Sequence, residues 1–405
     1  MRIRQLPPVV VNRIAAGEVV ERPAAALKEL VENAIDAGAG RIDVVLHAGG
    51  QALIAVSDDG AGMDPAELVL AVERHCTSKL PDDDLVAIKT LGFRGEALPS
   101  IGAVSRLAIT SRRQGRDSAW QITVEAGVKA APVPAAYPRG TRVEVRDLFF
   151  ATPARLKFLK TPRAERDQAV DMVKRLAMAG PTIAFTVTGD DDRPLLRLPA
   201  AATREARLAM LLGQEFADNA VPVLAARDGF ELTGLIGLPT YNRGLPRDQY
   251  LVVNGRPVRD RLLVGAVRAA YQHVMAKDRH PVVALFLDGP AAEIDVNVHP
   301  TKAEIRFRDA ALVRGLIIGA LRRALEAAGL RSATTASAAA LAGFRAPGVG
   351  GAATGRFAFP PSLPVAQLAE AGNAFLAPGA PSAPDQPPEP QPEPSTEPLL
   401  GNARA

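Results

Sequence analysis

One cysteine, Cys76, in 405 residues excludes an internal disulfide and a cysteine-based zinc site. No run approaches the ~20 apolar residues that a membrane span requires. The opening Met1-Arg2-Ile3-Arg4-Gln5-Leu6-Pro7-Pro8 lacks the apolar core of a secretory signal. Those absences point to the cytoplasm. The chain also has no Gly-Lys dipeptide, which rules out a Walker-type phosphate loop, and no His-Glu-x-x-His zinc motif. Formal net charge is only +4, so charge alone does not announce a nucleic acid. With 47% hydrophobic and 23% charged residues the composition is that of a globular protein, long enough for two domains.

Cations do cluster locally. Arg155, Lys157, Lys160, Arg163 and Arg166 form one group, and Arg256, Arg259, Arg261 and Arg268 another. Either suits phosphate contacts, and either also fits a solvated helix face. Thirteen of 34 prolines lie between Pro347 and Pro398, amid Ala, Gly, Ser and Glu. Such a stretch cannot bury a core, so residues 331–405 are expected to be a disordered linker or tail. The remainder divides near Pro199, giving sections 1–199 and 200–330.

In the first section Arg22-Pro23 opens a helix and Gly38 closes it. Leu27, Leu30, Val31, Ala34 and Ile35 form its apolar stripe, with Glu29, Glu32, Asn33 and Asp36 on the opposite face. Ile42–His47 and Leu53–Ser57, joined through Gly49-Gly50, form a hairpin pattern. Further strands are expected at Leu107–Ser111, Trp120–Glu125 and Arg142–Val145. This pattern predicts an α+β fold, a mixed and largely antiparallel sheet with helices on one face. The second section repeats the mixture, with strands at Phe230–Leu238, Gln249–Asn254, Pro281–Asp288 and Glu304–Phe307 and helices at Asp260–Met275 and Asp309–Ala328.

Four segments carry chemistry. Glu29 and Asn33 lie one turn apart on a helix, where a carboxylate can act as base and a carboxamide oxygen can bind Mg²⁺. Asp58 ends a strand and enters the turn through Gly60 and Gly62, so it can accept from an adenine amine while the glycines admit the ring. Thr77-Ser78-Lys79 and Gly92-Phe93-Arg94-Gly95-Glu96-Ala97-Leu98 have the character of phosphate loops, the second opening a helix. Each segment by itself also fits a bland account: a polar helix face, a routine Asp-Gly turn, a surface loop. Together they argue for ATP hydrolysis. Trp120, the lone tryptophan, is expected in the core.

In order along the chain, Glu29–Ala37, Asp58–Gly62, Arg74–Lys79, Gly92–Leu98, Gly140-Thr141 and Thr152-Pro153-Ala154-Arg155 resemble the MutL family of DNA mismatch repair. The segments Ile14–Pro23, Val253-Asn254-Gly255-Arg256 and Asp295–Lys302 narrow the resemblance to that family within the GHKL-type ATPase superfamily. The resemblance implies a GHKL/Bergerat-type α/β sandwich followed by a smaller α/β domain like the second domain of ribosomal protein S5. It implies Glu29 as general base, Asn33 as magnesium ligand, Asp58 with Thr141 at the adenine, and Gly60 and Gly62 lining that pocket. It makes Thr77, Ser78, Lys79 and Gly92–Leu98 the phosphate-binding lid, Lys302 a second-domain lysine reaching the terminal phosphate, and Arg261 a DNA contact. The implied cofactors are ATP and Mg²⁺. The implied partners are DNA, a mismatch-recognition protein of the MutS type, a downstream nuclease and helicase, and a second copy of the chain. The expected activity is that of an ATP-driven clamp, the alternative being a non-catalytic, DNA-binding fragment. Asp59, Cys76 and Ala151 depart from the family's usual asparagine, alanine and asparagine. The family's C-terminal dimerisation and nuclease region has no match here, so no nuclease activity is expected of these residues.

Overall fold

The computed structural model describes residues 4, 6–79, 90–92, 95–296 and 304–343, the last stretch from 330 onward as backbone only. The chain divides into two units, Met1–Leu341 and Ala342–Ala405, and both sheets described next lie in the first.

Helices α1 (Pro8–Val19) and α2 (Pro23–Asp36) each start on a proline, whose missing N–H would have no helical partner there anyway. Past α2, Gly38 takes φ +73, the left-handed conformation that ends helices without a Cβ penalty. Leu27, Leu30, Val31 and Ala34 are buried. Strands β1 (Arg41–His47) and β2 (Leu53–Asp58) form the expected antiparallel hairpin, Val44 opposite Val56. After α3 (Pro65–Ala71) and α4 (Ala97–Val104) come β3 (Arg106–Arg112), β4 (Ala119–Glu125), β5 (Val128–Lys129), β6 (Val133–Ala135) and β7 (Gly140–Arg146). Helix α5 (Pro162–Ala179) leads to β8 (Ala184–Thr188) and β9 (Pro194–Leu198). The sheet order is β5-β4-β3-β7-β2-β1-β8-β9, with β6 beside β4. Every pairing is antiparallel except β1 with β8. Residues of α2, α4 and α5 join those of the sheet in one core, against which Trp120 is partly buried. At about 25 cal/mol per Å² of apolar surface removed from water, this burial is the main force holding the helices to the strands.

Next come α6 (Arg204–Leu212), α7 (Gln214–Asp218), β10 (Ala220–Arg227), β11 (Phe230–Gly237), β12 (Asn242–Arg243), β13 (Gln249–Val253) and β14 (Arg256–Val258). They are followed by α8 (Arg261–Tyr271), β15 (His280–Pro281), β16 (Val283–Asp288), β17 (Ile294–Asp295), β18 (Arg306–Phe307) and α9 (Ala310–Gly343). The second sheet has the order β10-β11-β16-β13-β14. Asp260 caps α8, its Oδ1 accepting from the amides of Leu262 and Leu263. Leu263, Val267 and Tyr271 of α8 and Val313, Ile317 and Leu321 of α9 share a core with this sheet. Helix α9 extends past Ala328, where the apolar pattern ends, to Gly343. The tail expected from residue 331 therefore starts as helix, in keeping with the high helix propensity of its alanines.

Pro199 lies between β9 and β10, the last strand of the first sheet and the first of the second, and within the single unit Met1–Leu341 the two sheets are joined firmly. Met178, Leu208, Tyr250, Val252, Ala284 and Phe286 form one buried cluster. Arg175 of α5 donates to the carbonyls of Gln249 at 3.1 Å and Arg247 at 2.9 Å. Arg207 of α6, fully buried, donates to the carbonyl of Pro181 at 2.7 Å.

Candidate functional site

The polar side of α2 is not the solvated face of the bland alternative. Glu32 is only 3% exposed. The Lys28 ammonium lies 2.7 Å from Glu32 and 3.2 Å from Glu29. Burial pulls the Lys28 pKa down, but the Glu29 and then Glu32 carboxylates outweigh it, and the net shift is upward. One turn further on, the Lys79 ammonium donates to Asn33 Oδ1 at 2.7 Å and to Asp36 Oδ2 at 2.6 Å. Asp36 also accepts the amides of Leu91 at 2.8 Å and Gly92 at 2.9 Å. Gly92 is buried, and a Cβ there would lie 2.9 Å from the Lys79 ammonium, so no larger residue fits without moving it.

The Asp58 turn packs at the C-terminal end of this helix. Gly60 backs onto Ala37, where a Cβ would stand 2.8 Å from the Ala37 carbonyl oxygen, and the amide of Ala61 donates to that oxygen at 3.0 Å. Gly62 takes φ +68 with its α-carbon against the Arg112 carbonyl, a position that any side chain would overlap. Asp58 Oδ1 accepts from the Gly60 amide at 2.9 Å. Burial lifts the Asp58 pKa to about 6, aided by the neighbouring Asp59 charge and opposed by the Gly60 and Thr141 backbone hydrogen bonds. Thr141 pairs with Asp58 across β2 and β7, and its buried hydroxyl is 2.9 Å from that of Ser111.

The remaining expected residues are placed as follows. Thr77 and Ser78 are exposed, and the Thr77 hydroxyl accepts the Lys79 amide at 3.1 Å. Gly95, at φ +63, sits against the backbone of Cys76 and so brings the 74–79 segment to the start of α4. Glu96 precedes α4 without a side-chain cap, and Ala97 and Leu98 form its first turn. Phe93, Arg94 and Lys302 lie outside the described residues. Asn33, Lys79 and Gly92 therefore meet near the C-terminal end of α2, Glu29 lies one turn earlier on the helix, and the Asp58 turn packs against Ala37 at that same end, with Thr141 across from Asp58. Asp59 spends one oxygen on the amides of Gly40 and Arg41, at 2.8 and 2.9 Å, which an asparagine oxygen would serve equally. Beside Ala151, the Thr152 hydroxyl is buried with no hydrogen-bond partner among the described residues.

The two cationic clusters come apart. Arg155 is spent on the carbonyls of Gly17 and Val20, both at 2.9 Å. Arg259 is 2.6 Å from Asp171, and Arg256 is 6% exposed. Lys157, Lys160, Arg163, Arg261 and Arg268 stay exposed and make no ion pair with a described residue. Sequence reasoning missed the Lys28 pairing, the central role of Asp36, the Ser111 hydroxyl beside Thr141 and the reach of Arg256. Only Asp36 left a signal, three residues beyond Asn33 in the same polar stripe.

Residues 21–141 match the family described as "Histidine kinase-, DNA gyrase B-, and HSP90-like ATPase", and residues 208–326 match "DNA mismatch repair protein, C-terminal domain". The chain is 58% identical to the DNA mismatch repair protein MutL of Paramagnetospirillum magneticum over all of its own length and 70% of that protein's. The chain belongs to the MutL family. It is 64% identical to the MutL of Rhodospirillum rubrum over 85% of its length, and there it spans 56% of the relative. Among solved structures, the N-terminal domain of a DNA repair protein superposes with a TM-score of 0.69 at 25% identity, covering 79% of this chain and 99% of that one. The Aquifex aeolicus MutL ATPase domain complexed with ADP superposes with 0.53 at 27% identity, covering 74% and 98%. This MutL chain thus carries a GHKL-type ATPase domain on its first sheet. No helix among its described residues is long and apolar enough to cross a membrane.

Proposed function

We propose that this chain binds ATP with Mg²⁺ along α2 and hydrolyses it, using the cycle to clamp DNA during mismatch repair. The observation that carries the reading is the convergence of Asn33, Asp36, Lys79 and Gly92 near the C-terminal end of α2, next to which the Asp58 turn packs against Ala37. From Glu29 to Ala37 is about 12 Å along a helix, so one side of α2 offers acid and amide groups to the phosphates while its end faces the base.

The chain's residues suit the metal. Asn33 Oδ1 already holds a cation, the Lys79 ammonium. A single carboxamide oxygen suits an ion that draws most of its ligands from phosphate and water. When bound, Mg²⁺ offsets the phosphate charge. Glu29 accepts a proton from the water that attacks the γ-phosphorus, the bond to the bridging oxygen breaks, and ADP leaves with phosphate. The Lys28 ammonium lies 3.2 Å from the Glu29 carboxylate. Asp58 accepts from the adenine amine, and Thr141, held by Ser111, lines the same pocket. Lys79, the Gly92–Leu98 segment with Phe93 and Arg94, and Lys302 hold the phosphates.

Arg261 and the exposed Lys157 and Lys160 provide sequence-independent contacts to DNA. Val10, Val11 and Ile14 of α1 expose apolar surface, which supports ATP-dependent pairing with a second copy. A MutS-type protein upstream and a nuclease and helicase downstream complete the proposed assembly. The deciding experiment is ATP turnover by the full chain. Glu29→Ala should abolish hydrolysis and leave nucleotide binding intact, and full turnover by that variant would refute the assignment.

A further inference from the structure

Arg256 begins β14 in the second sheet, yet its guanidinium ends at the nucleotide site. It donates to the Leu91 carbonyl at 2.8 Å and to the Thr90 carbonyl. The far side of that short segment donates in turn: the amides of Leu91 and Gly92 hold the two oxygens of Asp36. Asp36 holds Lys79, and Lys79 holds Asn33. A continuous set of polar contacts therefore runs from the second sheet to the oxygen assigned to the metal.

Arg256 is not needed to join the sheets. The Arg175 and Arg207 contacts and the apolar cluster around Tyr250 and Phe286 already do that. Among the described residues its hydrogen bonds go to residues 90–91, with the Glu32, Asp36 and Glu29 carboxylates near enough to act on its charge, and the grip needs an arginine. Two carbonyls of successive residues are met by the planar fork of one guanidinium, whereas a lysine ammonium is a point donor on a flexible stem. The side chain is 6% exposed, so leaving the carbonyls is costly unless something replaces them.

We infer that Arg256 is a positioning residue for nucleotide binding, clasping Thr90 and Leu91 so that Asp36 keeps Lys79 on Asn33 until magnesium and nucleotide displace it. This rests on the nucleotide reading above and adds a resident competitor to it. Two cations within a few ångströms of one carboxamide oxygen repel strongly in a half-buried site. Magnesium at Asn33 therefore requires Lys79 to move, and Arg256 opposes that movement through the 90–92 segment. The free protein is held in a binding-incompetent arrangement, and its apparent affinity is reduced by the fraction so held.

The test uses the full chain without nucleotide, then with the non-hydrolysable analogue AMPPNP. Arg256→Ala and Arg256→Lys should both speed hydrogen exchange at the Leu91 and Gly92 amides. Both should tighten AMPPNP binding in the presence of magnesium, by about five- to tenfold for the alanine variant and less for the lysine. The tightening should be smaller in EDTA, where no ion contests Asn33 and only the release of Lys79 to the phosphates is felt. A merely structural role would alter binding equally with and without magnesium. If Arg256→Ala does not fold, the lysine variant carries the comparison. Unchanged exchange with unchanged or weaker magnesium-dependent affinity overturns the inference while wild type still binds. Wild type that binds no nucleotide at all overturns the nucleotide reading instead.

Discussion

The Lys79 ammonium lies 2.6 Å from the Asp36 carboxylate on α2, and the same carboxylate takes two backbone amides from residues 91 and 92. Three donors converge on a side chain that is 6% exposed. Asp36→Asn supplies one acceptor oxygen and turns an amino group toward a donor, leaving a buried group unmet. The expected cost is about 2 kcal/mol of unfolding free energy, read by urea denaturation. A loss below about 0.5 kcal/mol, the scale of ordinary surface changes, would show that the cluster is not held by this residue.

Asp58 gives the site a pH dependence. Its pKa rises from 3.8 to about 6 on folding, so it is a group whose protonated form the fold favours. The stability it contributes is full below pH 4 and is lost as pH climbs through 6. Adenine recognition has the opposite sign, because the ionised carboxylate is the better acceptor. Nucleotide affinity should rise between pH 5 and 7 and level off above it, and Asp58→Asn should flatten that profile. An equally steep profile in the variant would remove Asp58 from the adenine contact.

Gly62 tests how tightly the same turn is built. Gly62→Ala places a methyl on the Arg112 carbonyl at a positive φ. Destabilisation of about 1–3 kcal/mol is expected, together with weaker nucleotide binding. Thermal melting that matches wild type would mean the turn has room that the geometry denies.

Arg261 is exposed at the first turn of α8 and has no ion pair with a described residue. Arg261→Glu should weaken DNA binding by about tenfold or more and lower the slope of log affinity against log salt. An affinity that does not fall with salt in the wild type would exclude a phosphate-contact surface.

Much of this was legible in the sequence because it is local. Proline at the start of α2, glycine past its end, the β1–β2 hairpin and the Asp58 turn are all set by neighbours within a few residues. Strand β10 was not read, since Pro222 interrupts its pattern. The strand lies at the sheet's edge with Pro222 exposed, where a missing N–H costs no ladder bond. The acidic side of α2 reads as solvated because amphipathic pattern records polarity and not partners. Lys28 and Lys79 neutralise that side, and only the folded chain brings Lys79 to it. The reach of Arg256 to Leu91 joins residues far apart in sequence, and no periodicity encodes it.

The most direct test of the nucleotide site is calorimetric titration of the full chain with AMPPNP, with and without magnesium, for wild type and Asn33→Ala. The expected result is saturable one-to-one binding in wild type that tightens with magnesium, and a variant whose binding no longer responds to the ion. Absence of saturable heat in wild type, or an undiminished magnesium response in Asn33→Ala, would contradict it.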